Sequence, residues 1–295
     1  GIPLVAKLGQ GGMGAVYYGI HPRLRLEVAV KVLPFHLASQ QPGLVERFFR
    51  EAQIAAKVQS PNLVNVKDVN EDTGLFYLVM EYVHGASAGS YLKQLKAAGR
   101  PGLPEAEALD ICIAATQGLL AAHSEGVVHR DIKPDNIMIP RSKDGAALLF
   151  GAAKLADLGL ARGEDTAQSL TGQHAALGTP GYMAPEQADD ARKAGRPADV
   201  FSMGAALYAL LSGKPPFGGE SLMQIFFSTA TKPHAPIQTH RPEASAATAA
   251  LLDRCLAKHP AERPADAAVL LDELRACRKG LAALSGSGFQ PTLVN

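Results

Sequence analysis

The sequence contains no tryptophan and only three cysteines, and its charges almost cancel. Cys112, Cys255 and Cys277 lie far apart and form neither a CxxC pair nor a Cys/His ligand pattern, so we expect reduced packing residues. A formal net charge of +1 provides no broad basic field, which argues against nucleic-acid binding. No apolar run approaches the roughly 18 residues that a membrane span needs. No membrane contact is therefore expected within this chain.

The residues that are present are those of an ordinary folded protein. The chain has 295 residues, of which 47% are hydrophobic and 19% charged, enough to bury a sizeable core without disulfides or metal. The first residue is not methionine and no signal pattern is visible, so the sequence is interpreted as a fragment or processed form. We expect it to be cytoplasmic, alone or as the cytoplasmic part of a larger membrane-anchored protein.

The apolar pattern changes from strand-rich to helix-rich near residue 83. This change predicts an α+β protein of two lobes with a cleft between them, where ligand sites tend to lie. The first lobe is predicted to contain one helix at 42–59 and strands at 4–9, 15–20, 27–33, 63–69 and 75–82. The second is predicted to contain helices at 106–123, 199–211, 243–256 and 265–278.

A glycine-rich segment joins the first two predicted strands. Gly9, Gly11 and Gly14 have the spacing G-x-G-x-x-G, and Gly12 adds a further glycine. Dinucleotide-binding folds share this spacing, but there a helix follows the glycines, whereas here residues 15–19 have a strand pattern. A glycine hairpin lets backbone N–H groups approach phosphate oxygens without Cβ clashes, and a mere tight turn would need fewer glycines. The segment therefore predicts a phosphate-binding hairpin.

Lys31 lies on the predicted strand that follows this hairpin. A lysine on an alternating strand is usually solvated, and that interpretation stays open. Lys31 would instead point into the cleft toward phosphate if an anionic partner held it there. Glu51, on the predicted helix that follows, is the natural candidate for this partner.

The densest cluster of polar side chains lies between two short apolar segments, at residues 129–136. A structural loop would rarely place Asp131, Lys133 and Asn136 so close together. Asp131 would be a base or orienter for a hydroxyl nucleophile, and Lys133 would offset charge on a phosphoryl group in flight. Asn136, together with Asp157 at the end of a later apolar strand, would supply oxygen ligands that suit Mg²⁺.

Five motifs follow one another along the chain, at residues 9–16, 28–31, 129–136, 157–159 and 184–186. Together they resemble the signature of the protein kinases, and residues 11–14 and 182–187 are similar to those of bacterial eukaryotic-like (Hanks-type) serine/threonine kinases. The resemblance implies transfer of the ATP γ-phosphate, with Mg²⁺ or Mn²⁺, to serine or threonine hydroxyls of protein substrates. It also implies a bilobal kinase domain over residues 1–280, with an N-lobe at 1–80, a hinge at 81–86, a C-lobe at 87–280 and a flexible tail at 281–295.

The resemblance assigns catalytic and nucleotide-binding roles to individual residues. Lys31 would contact the α- and β-phosphates and pair with Glu51. Asp131 would be the catalytic base, and Asn136 and Asp157 would hold the metals. The ATP pocket would be formed by Leu8, Gly9, Gly11, Gly12, Gly14, Val16, Ala29, Lys31, the gatekeeper Met80, the hinge residues Glu81 and Val83, Ser87 and Met138.

The same resemblance assigns structural roles and an acceptor class. His129 would pack rather than take part in catalysis, and Asp199 would anchor the catalytic loop. Glu186 would form a buried ion pair with Arg263. Lys133, two residues after the base, favours serine and threonine over tyrosine as acceptors.

The segment at residues 163–177 is rich in small and polar residues and has no apolar periodicity. Arg130 and Arg162 would form a phosphate receptor for it, since each guanidinium can bond phosphate oxygens in bidentate fashion. We therefore predict autophosphorylation, first at Thr171 and second at Ser169, through self-association and with a gain in activity. The alternative is a solvated arginine and an unmodified loop.

Two other classes of protein are weighed against this interpretation. A scaffold without turnover would have lost one of the four phosphate- and metal-handling residues, and all four are present. A small-molecule phosphotransferase of related fold would lack the peptide ledge at residues 178–186, where Thr179 would contact Asp131 and Lys133.

The segment at residues 140–153 is longer than its hairpin needs. It predicts an extended hairpin or a docking surface for a partner.

Overall fold

The structure is a computed structural model that describes residues 1–11, 14–33, 42–158, 180–189 and 194–286. The described N-lobe is an antiparallel sheet in the order β1-β2-β3-β5-β4, with helix α1 beside it. The elements are β1 Leu4–Gly11, β2 Gly14–Ile20, β3 Glu27–Val32, α1 Pro42–Lys57, β4 Val66–Asp72 and β5 Leu75–Glu81.

Strand β3 lies at the centre of this sheet and is buried on both faces. Val28 and Val30 pack with Val79 of β5 on one face. Ala29 belongs to the main core, which also contains residues of α1. Because side chains alternate along a strand, Lys31 lies on the same face as Ala29, toward the main core and the cleft.

The described part of the C-lobe consists of helices around a small sheet in the order β6-β7-β8. Helix α5 lies in the core of this lobe. Every residue from 198 to 212 is buried, as the apolar sequence predicts. The strands are β6 Gly85–Ser87, β7 Ile137–Pro140 and β8 Lys154–Leu155. The helices are α2 Ala88–Ala97, α3 Glu105–Ser124, α4 Pro185–Asp189, α5 Arg196–Ser212, α6 Leu222–Thr231, α7 Ala246–Cys255 and α8 Ala267–Gly286.

The lobes are joined by the hinge at residues 82–84 and also by backbone bonds to β8. The N–H of Leu155 donates to the Asn62 carbonyl oxygen at 2.8 Å, and the N–H of Val64 donates to the Leu155 oxygen at 2.9 Å. Helix α3 packs against this segment at Gly118, where a Cβ atom would lie 2.3 Å from the Asn62 oxygen. Only glycine permits this approach.

Strand β4 differs from the prediction at both ends. It begins at Val66 rather than at residue 63, because Leu63 instead forms a parallel bridge with Leu155 of the C-lobe. It continues to residue 72, beyond the predicted end at residue 69. The turn itself contains Thr73 and Gly74, whose φ angles of 51° and 77° are those of a two-residue hairpin loop.

The C-terminal helix is longer than predicted. Helix α8 continues to Gly286, so the predicted domain boundary at residue 280 falls inside a helix, and residues 281–286 of the predicted flexible tail are helical. Leu281, in the added part of the helix, packs against the main core. Helices α2, α4 and α6 are absent from the sequence-based prediction. In the described part of the chain, no helix combines the length and the apolar character that a bilayer span requires.

Candidate active site

Lys31 of β3 and Asp157, two residues after β8, meet in the cleft between the lobes. The lysine Nζ lies 2.9 Å from Oδ1 of Asp157. Burial alone would raise the pKa of Asp157, but the Lys31 ammonium, with smaller contributions from His129 and Lys133, holds that pKa below its usual range. The carboxylate is therefore ionised at neutral pH.

The environment of Lys31 decides between the two interpretations of this residue. Lys31 is only 9% exposed, which excludes the solvated strand lysine. Glu51, its predicted partner, lies in α1, but the Glu51 side chain is outside the described part of the structure. The Lys31–Glu51 pair therefore stays a prediction, and Asp157 is the anion that the structure places beside the lysine.

The loop at residues 129–136 gathers two nitrogen donors around one carboxylate. The Nζ of Lys133 lies 3.1 Å from Oδ2 of Asp131. The side-chain nitrogen of Asn136 donates to the same oxygen at 3.1 Å and to the Asp131 carbonyl oxygen at 2.8 Å. A turn of 3-10 helix, Pro134–Asn136, brings the amide back to the carboxylate. The predicted base is thus held by its own loop.

Asn136 also connects this loop to the predicted metal ligand Asp157. The backbone oxygen of Asn136 accepts a hydrogen bond from the Ala156 N–H at 2.8 Å, so one predicted ligand is a partner in this bond and the other directly follows Ala156. Because Nδ2 of Asn136 donates to Asp131, its Oδ1 lies on the other side of the amide group. An amide oxygen and an ionised carboxylate are hard donors that fit a divalent cation.

His129 is fully buried and supports the loop through both ring nitrogens. Its Nε2 lies 2.9 Å from the carbonyl oxygen of Ala156, and its Nδ1 accepts from the Asp131 N–H at 3.2 Å. Since a carbonyl oxygen only accepts and a backbone N–H only donates, the proton of this ring is on Nε2. Both nitrogens are occupied by backbone groups, which fits a packing role rather than proton transfer.

Asp199, at the start of α5, holds the backbone before the predicted base. Its buried carboxylate accepts from the His129 N–H at 2.8 Å, the Arg130 N–H at 2.7 Å and Nε2 of His123 at 2.9 Å. Arg130 has a left-handed φ of 62°, which costs a non-glycine residue on the order of 1–3 kcal/mol. The hydrogen bonds that the Asp199 carboxylate accepts from the backbone offset this conformational cost and hold the strained residue in place.

The residues predicted around adenine lie on both sides of the cleft. Ala29 of β3 pairs with Met80 of β5, and both are buried. Val16 of β2 lies opposite Lys31 and is partly buried against the main core. Met138 lies in β7 of the C-lobe. Apolar side chains from the two lobes thus flank the position where the resemblance expects the ring.

Glu81 and Ser87 have side-chain roles that the prediction did not include. The Glu81 carboxylate lies 2.9 Å from Nζ of Lys154, while Val83 lies between β5 and β6. Ser87 is the N-cap of α2, and its hydroxyl oxygen accepts from the Ser90 N–H at 3.1 Å. Because this oxygen caps a helix, contact between Ser87 and ribose stays a prediction.

The glycine hairpin is formed by the facing ends of β1 and β2, as predicted. Gly11 pairs with Gly14, whose φ of 129° is accessible only to glycine at low cost. Gly9 lies earlier in β1, and Leu8 is 47% exposed. Gly12 lies outside the described residues.

Glu186 and Arg263 form the predicted buried ion pair. The two guanidinium nitrogens lie 2.7 and 2.9 Å from the two carboxylate oxygens. The same guanidinium donates to three backbone oxygens and stacks 4.9 Å from the ring centroid of Phe201. Arg263 is 5% exposed, so the pair is buried with its hydrogen bonds satisfied.

Residues 3–274 match the family model described as protein kinase domain. The chain belongs to this family. It is 36% identical over 272 residues to the serine/threonine-protein kinase Pkn1 of Myxococcus xanthus, an alignment that covers 92% of this chain but only 37% of Pkn1. The kinase domain of Mycobacterium tuberculosis PknI superposes with a TM-score of 0.70 at 28% identity, covering 94% of this chain and 96% of that one. Rad53 in complex with AMP-PNP superposes with a TM-score of 0.73 at 25% identity, covering 92% of this chain and 64% of Rad53.

These similarities confirm the predicted family and the bilobal kinase fold. Several predicted residues of this kinase domain lie outside the described part of the structure, namely Gly12, Arg162, Ser169, Thr171 and Thr179. In the segment at 140–153, Arg141 and Leu148 form an antiparallel bridge that closes a short hairpin, and a 3-10 turn follows at Phe150–Ala152. The docking surface for a partner stays a prediction.

The motifs did not identify two side chains that support this kinase domain's catalytic loop. His123 binds the Asp199 carboxylate from α3, and Gln187 binds the loop from α4. His123 is a polar residue on an otherwise apolar helix face, and this is the one sequence signal that points to it. Gln187 follows the kinase motif at residues 184–186 directly.

Proposed function

We propose that this chain is the catalytic domain of a serine/threonine protein kinase, which transfers the γ-phosphate of ATP to serine or threonine hydroxyls of proteins. The observation that carries the proposal is one cleft that contains both the Lys31–Asp157 ion pair and the Asp131 carboxylate with its Lys133 and Asn136 donors. The similarity to Pkn1, a serine/threonine-protein kinase, supports this acceptor class, and the AMP-PNP complex of Rad53 supports ATP as the donor.

ATP would lie between the glycine hairpin and the hinge, with its phosphates toward the Lys31 ammonium. Asn136 and Asp157 would hold Mg²⁺ or Mn²⁺, because one supplies an amide oxygen and the other an ionised carboxylate. The bound metal would neutralise charge on the β- and γ-phosphate oxygens. The domain would work in the cytoplasm, where ATP is available to it.

Asp131 would orient the acceptor hydroxyl and accept its proton. The hydroxyl oxygen forms a bond to the γ-phosphorus while the bond between that phosphorus and ADP breaks. Lys133, beside the base, would stabilise the negative charge on the phosphoryl group as it moves. Thr179 would contact Asp131 and Lys133 at the substrate ledge.

Autophosphorylation between two copies would regulate the enzyme, with phosphate on Thr171 or Ser169 bound by Arg130 and Arg162. In the structure, Nε of Arg130 donates to the Ala194 carbonyl oxygen at 3.4 Å. A variant with both Thr171→Ala and Ser169→Ala should stay at basal activity after preincubation with ATP. Activation equal to wild type would overturn this regulatory proposal and leave the kinase assignment standing.

The proposed function is tested by measuring transfer of radiolabelled γ-phosphate from ATP to a protein acceptor in the presence of Mg²⁺. The wild-type chain should transfer phosphate, and Asp157→Asn should not, although its fold should stay intact. Asp144→Asn, an exposed carboxylate in the 141–148 hairpin, is the matched control and should retain transfer. Wild-type rates in Asp157→Asn would remove the metal assignment, and an inactive wild-type chain that binds ATP would contradict the proposed function.

A further inference from the structure

Gln187 connects helix α4 to the catalytic loop. It is the third residue of the helix, and it is 6% exposed. Its Oε1 accepts from the Ala184 N–H at 3.1 Å, and its Nε2 donates to the carbonyl oxygen of Arg130 at 3.0 Å. The second partner lies 57 residues earlier in the chain. The side chain therefore joins two segments that the sequence keeps apart.

Only one of these two bonds is explained by helix capping. A Gln or Glu at the third helical position commonly bonds back to the N–H of the residue before the helix, as Gln187 does with Ala184. The bond to Arg130 leaves the helix and has no part in the cap. Glutamate would serve the cap equally well, but an ionised carboxylate cannot donate to a carbonyl oxygen. The contact with the loop thus requires an amide here.

The peptide group that Gln187 binds is the one directly before the predicted base. Its oxygen belongs to Arg130 and its N–H belongs to Asp131. That N–H donates to Nδ1 of His129, so the planar group is held at both ends. It follows a left-handed residue, since Arg130 has a φ of 62°, and such a conformation persists only where its surroundings determine it. The orientation of this group sets the direction in which the Asp131 side chain leaves the backbone.

We propose that Gln187 is a positioning residue for Asp131, which fixes the base by holding the Arg130–Asp131 peptide group. The inference rests on the proposed function, because it assumes that Asp131 acts on the acceptor hydroxyl. Gln187 touches neither ATP nor the acceptor. Through its two hydrogen bonds it connects the start of α4, beside the predicted substrate ledge, to the backbone next to the proposed catalytic base.

The variant Gln187→Glu separates the two roles, because it keeps the cap and removes the donor to Arg130. Its KM for ATP should match wild type, and kcat should fall roughly ten- to a hundredfold, as expected for a displaced catalytic group. Its melting temperature should fall as well, because the buried carboxylate faces the Arg130 carbonyl oxygen without a proton between them. Gln187→Met loses both bonds, so it should lower kcat to a similar extent and also lower the melting temperature. If Gln187→Met melts below the assay temperature, Gln187→Glu still decides the question.

Ser245→Ala is the control for a cap that is far from the cleft. Ser245 caps α7 by accepting from the Thr248 N–H at 3.2 Å, so its loss should lower the melting temperature without lowering kcat. A wild-type kcat in Gln187→Glu would show that Gln187 is a helix cap alone. A fall in kcat matched by an equal rise in the KM for ATP would also overturn the inference. Absence of transfer in the wild type, assayed alongside, would instead contradict the proposed function.

Discussion

The catalytic loop and the glycine hairpin would both handle phosphate, but their backbones are held by different means. Around Arg130, buried side chains bind the backbone directly, through Asp199 on one side and Gln187 on the other. The hairpin instead depends on the ladder between β1 and β2, which has two register shifts, and most residues of β1 are exposed.

This difference corresponds to what each region would do. A base must stay aligned with the acceptor, since a small displacement costs a large factor in rate. A hairpin that covers phosphates must admit and release a nucleotide, and a segment with few buried contacts opens at lower free energy. We therefore expect substitutions at the loop to change kcat, and substitutions at the hairpin to change the KM for ATP.

The largest effect is expected from Asp131→Asn. An amide cannot accept the hydroxyl proton, so kcat should fall by roughly 10²–10⁴-fold, the contribution of a positioned base. ATP affinity should stay nearly constant, because Asp131 faces Lys133 and Asn136 rather than the hairpin. Phosphotransfer rates and nucleotide titrations on the same preparation measure both. Tenfold weaker ATP binding with unchanged turnover would show that the role of Asp131 is wrong.

Arg263→Ala tests how much the Glu186–Arg263 ion pair contributes to the stability of the fold. Removing one partner of a buried ion pair costs about 3–5 kcal/mol, and the Glu186 carboxylate would be left without its bidentate partner. The free energy of unfolding, from denaturant titration, should fall by this amount. Arg254→Ala removes an exposed pair with Glu273 and should cost less than about 1 kcal/mol. An equal free energy of unfolding in the two variants would show that burial of the Glu186–Arg263 pair adds nothing to stability.

The smallest effect is expected from Gly14→Ala in the hairpin. Alanine is strained at a φ of 129°, so the turn should shift and the KM for ATP should rise severalfold with little change in kcat. Gly99→Ala is the control, because Gly99 also has a positive φ of 73° but faces open space after α2. Steady-state kinetics at varied ATP should separate the two. The same KM in both variants would remove the hairpin from the nucleotide site.

The grouping of the site residues was predictable because each motif is short. Asp131, Lys133 and Asn136 lie within six residues of one another, so their chemical types alone indicate a phosphate-handling loop. The contacts that hold this loop were not predictable in the same way. His123 and Asp199 are 76 residues apart, and no local pattern indicates that they meet.

The fold was predictable where burial follows a simple period. Helix α5 is apolar on every face and is buried on every face. In α6 the apolar residues do not mark the buried face, because Leu222, Met223 and Phe227 are 50%, 72% and 61% exposed. A helix whose large apolar residues face outward gives no readable buried stripe. The shift of β4 was likewise hidden, because Leu63 pairs with Leu155 of the other lobe.

The central claim is that this chain phosphorylates serine and threonine, and mass spectrometry after incubation with ATP and Mg²⁺ tests it most directly. The wild-type chain, with a protein acceptor present, should produce phosphoserine and phosphothreonine on that acceptor, and phosphate on Thr171 or Ser169 of its own sequence. Asp131→Asn, treated identically, should produce almost none. Phosphate confined to tyrosine would contradict the acceptor class. A wild-type chain that binds ATP and leaves every hydroxyl unmodified would contradict the account as a whole.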